Sequence, residues 1–272
     1  MIDKFFVLSI TYMRILFFFL LIYGHFMFSQ NESLLIVKDS LTLKAVKLHG
    51  IDGYGNLYYT AQNNSFTKKT NKDQLTYSNF QLGELTSANP FNPLKINVFY
   101  RDFNTIILLD NRLAEIIRLD FNQIQPFRNL SNVSTGYDST LWLFNQDTQQ
   151  LELFDYSTLK TKLKTIPVQS QVLDLKSDYN YCYMLTERFL YIYNYFGSLI
   201  KKIENKGYQE LNFSKGLILL RNNNDLYIYD ESLNLIKPLK IPNLLIKQFL
   251  VTDETLYIYD DENLRRYQLK TP

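Results

Sequence analysis

Short apolar runs alternate with polar, turn-forming stretches along most of the chain. The sequence Leu-Tyr-Ile-Tyr, for example, occurs three times, at residues 190–193, 226–229 and 256–259. Runs of about 4–8 residues that are rich in aromatic and β-branched side chains, and that are bounded by Asp, Asn or Gly, are typical of β-strands joined by tight turns. The pattern therefore predicts an all-β protein built from successive hairpins.

The hairpins recur with a regular period of about 40 residues. An apolar run, usually preceded by an aspartate, marks each period, and a polar loop, a third run and in most periods a more polar fourth run follow it. Although residues 256–259 repeat the third-run text of the preceding unit, their spacing assigns them to a second strand. The six marker runs begin at Leu57, Ile106, Leu141, Tyr181, Leu217 and Leu256.

Four strands in each period of about 40 residues resemble the blade of a β-propeller. We predict a six-bladed β-propeller of four-stranded antiparallel blades, at residues 43–80, 96–125, 131–166, 171–204, 208–240 and 244–270. The last unit ends after its third strand, so we expect residues 33–38 to supply the fourth strand and to close the ring without an open edge. The first interval is wide, which predicts an insertion or a long loop within residues 68–95. The resemblance is to exported bacterial six-bladed propellers and rests on the period, since the WD40, YWTD and kelch motifs are absent.

The N-terminal residues have the pattern of a secretory signal. An apolar run at residues 15–22 follows Lys4 and Arg14 and is followed by polar residues 29–32. We predict a signal peptide or an uncleaved signal anchor at residues 1–30, with Met13 as a candidate start, and the propeller domain at residues 31–272. Either form places the domain outside the cytoplasm, as a periplasmic, outer-membrane-associated or secreted protein.

The amino-acid composition excludes several classes of partner and site. The chain has 29 Lys and Arg against 27 Asp and Glu, so it lacks the one-sign charge typical of nucleic-acid binding. Its two histidines and one cysteine are too few for an ordinary zinc site, and no intramolecular disulfide can form. We predict no metal and no cofactor. His49, near the Gly-rich turn that begins at Asp52, is a candidate general base, although a structural role is favoured.

The sequence singles out two groups of candidate binding residues. Arg112, Arg188 and Arg221 fall in or beside polar loops that are assigned between second and third strands, and such loops share one face of a propeller. Arginine is enriched at protein interfaces, so these three are the predicted binding residues. The second group falls on predicted first strands and comprises Arg101, Asp102 and Asp174. Side chains of first strands can face the central channel, where propeller enzymes gather acids or arginines.

These features favour a binding protein over an enzyme. We predict a monomeric, non-enzymatic, extracytoplasmic scaffold that binds another envelope protein or a peptide through one face of the ring. The alternatives are a hydrolase or lyase with its active site at the central channel and a glycan-binding module that uses exposed aromatic residues. Converging acids or a metal at the channel mouth would favour the enzyme, whereas small apolar and hydroxyl side chains would favour binding. Contact with a membrane is expected only through an uncleaved N-terminal segment.

Overall fold

The structure is a computed structural model that describes residues 35–231 and 234–269. The predicted signal segment lies outside the described residues. Within them, no helix is long and apolar enough to cross a membrane. The only helical element in this part of the chain is a short 3-10 helix at Phe80–Leu82. All the other regular structure is β-sheet, as the alternation of apolar runs and turns predicts.

The strands form six antiparallel sheets of four strands each. In chain order the strands are β1 Leu35–Thr42, β2 Ala45–Ile51, β3 Leu57–Ala61, β4 Phe66–Lys69, β5 Gln74–Tyr77, β6 Ser87–Asn89, β7 Ile96–Tyr100, β8 Thr105–Leu109, β9 Glu115–Asp120, β10 Leu130–Thr135, β11 Thr140–Asn145, β12 Gln150–Asp155, β13 Lys160–Lys164, β14 Val172–Ser177, β15 Tyr181–Thr186, β16 Phe189–Asn194, β17 Leu199–Glu204, β18 Glu210–Ser214, β19 Leu217–Asn222, β20 Asp225–Asp230, β21 Leu235–Leu239, β22 Gln248–Thr252, β23 Thr255–Tyr259 and β24 Asn263–Leu269. Five sheets, from β2–β5 to β18–β21, each use four consecutive strands.

The sixth sheet closes the ring in the predicted way. Its order is β22, β23, β24 and then β1, so the N-terminal strand completes the last blade. β1 pairs antiparallel with β24 from Leu35 opposite Leu269 to Thr42 opposite Asn263. This pairing covers the backbone groups that β24 would otherwise leave open.

Apolar side chains between successive blades hold the ring together. Six buried clusters occur, one between each pair of neighbouring blades, including one between blade six and blade one that contains Leu48 and Leu250. The inner strands β2, β6, β10, β14, β18 and β22 contact their neighbours in this order, and β22 contacts β2. The chain is therefore a six-bladed β-propeller. Of the repeated tetrapeptides, residues 226–229 lie in the third strand β20 and residues 256–259 in the second strand β23, as the spacing predicts.

Blade two begins earlier than predicted. Its four strands are β6 to β9, so the run that starts at Ile106 belongs to the third strand and not to the second. The second strand is β7, whose five residues are all buried. Residues 68–95 hold β5, the 3-10 helix and β6, and the predicted insertion or long loop is not found there.

The two ends of the ring carry different loops. Because strands within a blade are antiparallel, the turns between second and third strands share one end with the connections between blades. We term this end the connection face. The opposite end, termed the turn face, carries the turns between first and second strands and between third and fourth strands.

Candidate functional site

The three predicted arginines do not share one face. Arg188 lies in the turn between β15 and β16, and Arg221 lies near the end of β19, so both are on the connection face. Arg112 lies between β8 and β9, the third and fourth strands of blade two, and is therefore on the turn face. The expectation of a common face is wrong for Arg112, because the blade-two strands were shifted by one. The binding role of these arginines stays a prediction.

Charged side chains meet where the central channel opens on the connection face. Lys47 on β2 interacts electrostatically with Lys176, Asp174 and Glu210 of blades four and five, and with Arg101 of blade two. Lys47, Lys176, Asp174 and Glu210 stand on the inner strands of three blades, and Arg101 stands in a turn at the same end of the ring as Lys47 and Glu210. We term this group, together with Arg221, the channel mouth.

Thr86 links the two cations of blades one and two. Lys47 Nζ donates a hydrogen bond to the Thr86 carbonyl at 2.7 Å, and the Arg101 backbone N–H donates to Thr86 Oγ1 at 3.0 Å. Arg101 Nε donates to the Ser131 carbonyl at 3.1 Å. Neither cation has a carboxylate partner in the part of the chain that the structure describes. Arg101 lies in a turn and not on a first strand as predicted, and its side chain reaches the first strand of blade three, whereas Asp102 lies exposed in the same turn.

The two acids of the mouth already have partners. Glu210 Oε2 accepts a hydrogen bond from Arg221 Nε at 2.8 Å. Asp174 Oδ2 accepts from the Leu211 backbone at 3.1 Å, and Lys176 Nζ lies 3.8 Å from Asp174 Oδ1. As predicted, Asp174 is on the first strand of blade four. Positive charge is therefore in excess at the mouth.

This arrangement shifts two pKa values in opposite directions. Burial raises the pKa of the Glu210 carboxyl, the Asp174 carboxylate raises it further, and Arg221 opposes the change. Burial lowers the pKa of the Lys47 ammonium, and the nearby Lys176 charge lowers it further. Lys47 is open to solvent along the channel, but enough protein surrounds it for burial to be the largest cause. The charged form of each group therefore pays a desolvation penalty that an ion-pairing ligand could offset.

His49 is a structural residue. Its Nδ1 accepts a hydrogen bond from the Ala88 backbone at 3.2 Å, and Nε2 lies 2.7 Å from Thr60 Oγ1, so the ring ties blade one to blade two in a neutral form. Burial, with smaller contributions from Lys47 and Lys176, lowers its pKa well below the usual value. Asp52 accepts hydrogen bonds from three residues of its own hairpin, which fits a turn: the backbone N–H groups of Tyr54 and Asn56 and the Tyr58 hydroxyl. In residues 35–231 and 234–269, no group of three or more His, Cys, Asp or Glu could hold a metal ion.

A polar cleft lies beside the mouth on the connection face, with a volume of about 530 Å³. Three successive residues of the connection into blade four are notable there. The side chains of Gln169 and Gln171 are exposed to solvent and make no hydrogen bond with the described residues, whereas Ser170 Oγ is buried and has no partner among them. The cleft is lined by Arg101, Ser131, Asn132, Phe144, Gln146, Gln149, Gln169, Ser170, Gln171, Val172 and Glu187.

No protein-family model matches the chain, and a search of curated proteins found no match. Solved structures do resemble it. A catalytically inactive histidine-to-alanine variant of virginiamycin B lyase from Staphylococcus aureus, with quinupristin, aligns with a TM-score of 0.59 at 13% identity and covers 85% of this chain and 83% of that chain. A streptogramin B lyase aligns with a TM-score of 0.60 at 10% identity, covering 89% and 90%. The WD40 domain of Neurospora crassa Pan2 aligns with a TM-score of 0.52 at 8% identity, covering 88% and 96%.

What is shared is the β-propeller fold. Identities this low carry no function from one propeller to another, because the fold hosts unrelated activities. The function of this propeller has to be argued from its own surface.

Exposed apolar side chains are distributed around the connection face. They lie outside the strands, and Phe80 and Ile166 are the most exposed of them, at 87% and 85%. Sequence reasoning did not identify them, because an apolar residue in a loop resembles the end of a strand. The others are Phe103, Phe127 and Leu245.

Proposed function

We propose that this chain is a non-enzymatic, extracytoplasmic binding propeller whose connection face captures an extended, acidic segment of another envelope protein. The observation that carries the proposal is the row of unpartnered polar side chains at Gln169, Ser170 and Gln171 next to the positively charged mouth. Location outside the cytoplasm rests on the signal-like N-terminus and is part of the proposal.

The cleft matches the polar groups of a peptide backbone. Every residue of an extended peptide other than proline presents one N–H donor and one C=O acceptor. A glutamine amide offers both a donor and an acceptor, so Gln169 and Gln171 can bond such a backbone without a charge. Leaving a buried group such as Ser170 Oγ without a partner costs about 1–3 kcal/mol. A bound segment that reaches this hydroxyl would recover part of that free energy.

The mouth selects for negative charge. Lys47 and Arg101 lack carboxylate partners in the described part of the chain, whereas Asp174 and Glu210 are each next to a cation. A glutamate or aspartate side chain, or a C-terminal carboxylate, would complete both pairs. Charge-assisted hydrogen bonds are stronger than neutral ones, so an acidic group is the expected anchor.

Peptide selection tests the proposal. Random peptides displayed on phage would be selected on the full chain, and the affinity of the best sequences measured by fluorescence anisotropy. We expect acidic peptides, and we expect K47A and R101A each to weaken binding by about 10–100-fold, since a hydrogen bond to a charged group contributes about 1.5–3 kcal/mol. K72A is the control, because Lys72 is an exposed lysine on the turn face. Selected peptides without acidic residues, or peptides that bind K47A and R101A normally, would refute it.

A hydrolase or lyase at the channel is the second candidate, because two acids do meet at the mouth and the pKa of Glu210 is raised. Against it, replacing a histidine inactivates the similar virginiamycin B lyase, and here the one histidine of the described residues, His49, is only 7% exposed. Incubation with quinupristin followed by liquid chromatography and mass spectrometry tests for such an activity. The binding proposal predicts an unchanged chromatogram and mass, whereas a new product that is lost in Glu210→Gln would favour the enzyme.

A further inference from the structure

The turn face carries a separate cleft between blades two, three and four, with a volume of about 470 Å³. Three turns between first and second strands form it, at residues 90–95, 136–139 and 178–180, together with the turn at residues 195–198 of blade four. Its size falls within the range of about 300–1,000 Å³ that is typical of small-ligand sites. It is lined by Asn92, Lys95, Tyr137, Asp138, Tyr179, Asn180 and Tyr195.

Two of its tyrosines are accessible and yet braced by other rings. Tyr179 is 40% exposed and Tyr195 is 39% exposed. The ring of Tyr179 meets Phe91 at 5.0 Å and 89°, and the ring of Tyr195 meets Tyr137 at 5.7 Å and 84°. Such edge-to-face contacts are one of the two favoured geometries of aromatic pairs. A ligand that packs on these rings therefore immobilises little that is not already fixed, which reduces the entropic cost of binding.

The polar groups of the cleft are balanced in charge and partly unused. Lys95 is the one cation and Asp138 the one anion among the lining residues. Lys95 Nζ donates to the Asp138 main-chain carbonyl at 3.4 Å and not to its carboxylate. The Asp138 carboxylate and the Asn180 side-chain amide make no hydrogen bond with the residues that the structure describes. The cleft thus offers an acceptor, an amide and an ammonium around a set of aromatic rings.

We propose that this cleft binds a neutral carbohydrate. A sugar ring has C–H groups that pack on aromatic rings and hydroxyls that both donate and accept hydrogen bonds, which fits tyrosines flanked by Asn180 and Asp138. The positive charge of Lys95 is opposed by the negative charge of Asp138, and Lys162, whose Nζ lies 5.3 Å from the centre of the Tyr137 ring, pairs with Asp155. A phosphate or nucleic-acid ligand is therefore not favoured. The cleft is also too rich in polar groups for a purely apolar ligand. The proposal does not depend on the connection face and holds or fails separately from the peptide proposal.

The test is a glycan array of neutral oligosaccharides that includes maltotriose, cellotriose and chitotriose, probed with the full chain. The strongest ligand is then measured by isothermal titration calorimetry. We expect Tyr179→Ala and Asn180→Ala each to weaken binding by about tenfold or more, a change of about 1.4 kcal/mol. Tyr54→Ala is the matched control, because Tyr54 is an 83% exposed tyrosine on the same face that does not line the cleft.

Two outcomes would overturn the proposal: no binding of any neutral oligosaccharide on the array, or binding that is unchanged in both Tyr179→Ala and Asn180→Ala. Circular dichroism melts check that the variants are folded. Asn180→Ala decides the matter if Tyr179→Ala does not fold, because the Asn180 side chain is exposed and makes no hydrogen bond within the described residues. Acidic peptides that bind the connection face should bind both variants as they bind the unchanged chain.

Discussion

Replacing Glu152 with glutamine should destabilise the ring by about 3–5 kcal/mol, because it leaves a buried arginine without its counter-ion. Glu152 and Arg128 form an ion pair at 3.0 Å in which the side chains are 0% and 2% exposed. Glutamine has nearly the same volume as glutamate, so the substitution removes the charge and leaves the packing almost unchanged. The pair joins the connection that enters blade three to the third strand of that blade.

The magnitude follows from the bonds that the carboxylate accepts. Arg128 Nε and Thr161 Oγ1 both donate to Glu152 Oε2, at 3.0 and 2.8 Å, and Lys164 Nζ lies 3.3 Å from Oε1. Hydrogen bonds to charged groups contribute about 1.5–3 kcal/mol each, and a glutamine can keep part of one of them. Replacing both partners, as in Glu152→Gln with Arg128→Met, should restore much of the loss, because no unpaired charge then remains buried.

Urea unfolding of the full chain provides the assay. The single tryptophan, Trp142, is 1% exposed and lies on β11 of the same blade, so its fluorescence reports on this sheet. Asp253→Asn is the control, since Asp253 pairs with Lys215 at 2.6 Å with side chains 65% and 78% exposed. That change should cost no more than about 1 kcal/mol. A loss below about 1 kcal/mol for Glu152→Gln would refute the reasoning.

The same pair predicts a dependence on pH. Burial raises the pKa of the Glu152 carboxyl, but hydrogen bonds from Thr161 and Arg128 outweigh burial, and the net shift is downward. The folded pKa is therefore below the unfolded value of about 4.3. The stabilisation is present above this value and is lost as the pH falls through the folded pKa. Glu152→Gln should lack this acid-dependent loss.

Three further predictions concern the mouth, the blade junctions and the closure of the ring. Lys47→Met should leave thermal stability unchanged or raise it by up to about 1 kcal/mol, because burial and Lys176 disfavour the protonated ammonium; a clear drop in the melting temperature would assign Lys47 a structural role. The stability of the unchanged chain should decrease as the pH falls below about 6.5, because buried His49 has a lowered pKa and binds a proton more readily when the chain is unfolded. The urea midpoints at pH 7 and pH 5 should differ less in His49→Leu than in the unchanged chain. Deleting the chain through Thr42 should expose the edge of β24 and cause association, measured by light scattering, and adding a Leu35–Thr42 peptide should reverse the association. A deletion variant that stays monomeric would contradict this prediction.

The architecture was largely predictable, because each blade repeats the same pattern of apolar strands that pack against the neighbouring blades. The third strand of one blade and the second strand of the next look alike in sequence, and spacing alone placed residues 256–259 correctly in β23. Closure by an N-terminal strand followed from counting, since the last unit had three strands and β1 had no other partner.

Blade two departs from the sequence marker of the other blades. The marker of an aspartate followed by an apolar run fits Asp102 and Ile106, but Asp102 lies in the turn before the third strand and Ile106 lies in that strand. The true second strand β7 follows Pro93 and lacks the aspartate, and the first strand β6 has only three residues. A strand of three residues is too short to show an alternation of apolar and polar side chains. The predicted strands of blade two are therefore displaced by one strand, and Arg112 is predicted on the wrong face.

The candidate site was harder to foresee, because it depends on residues that meet only after the ring closes. Lys47 and Glu210 are far apart in sequence and stand on inner strands of different blades. One signal was present: Asp174 and Lys176 are two residues apart on a strand and so share a face. The unpartnered side chains of Gln169 and Gln171 could not be distinguished in sequence from those of an ordinary polar loop, because their lack of partners is a property of the packed structure.

Site-specific photo-crosslinking in the membranes of the host cell tests the central claim most directly. A photo-reactive amino acid would replace Gln171 on the connection face or, as the control, Lys72 on the turn face. We predict a discrete protein adduct from position 171 that a selected acidic peptide competes away, and no such adduct from position 72. Adducts from position 72 alone, or an adduct from position 171 that the acidic peptide leaves unchanged, would contradict binding through the connection face.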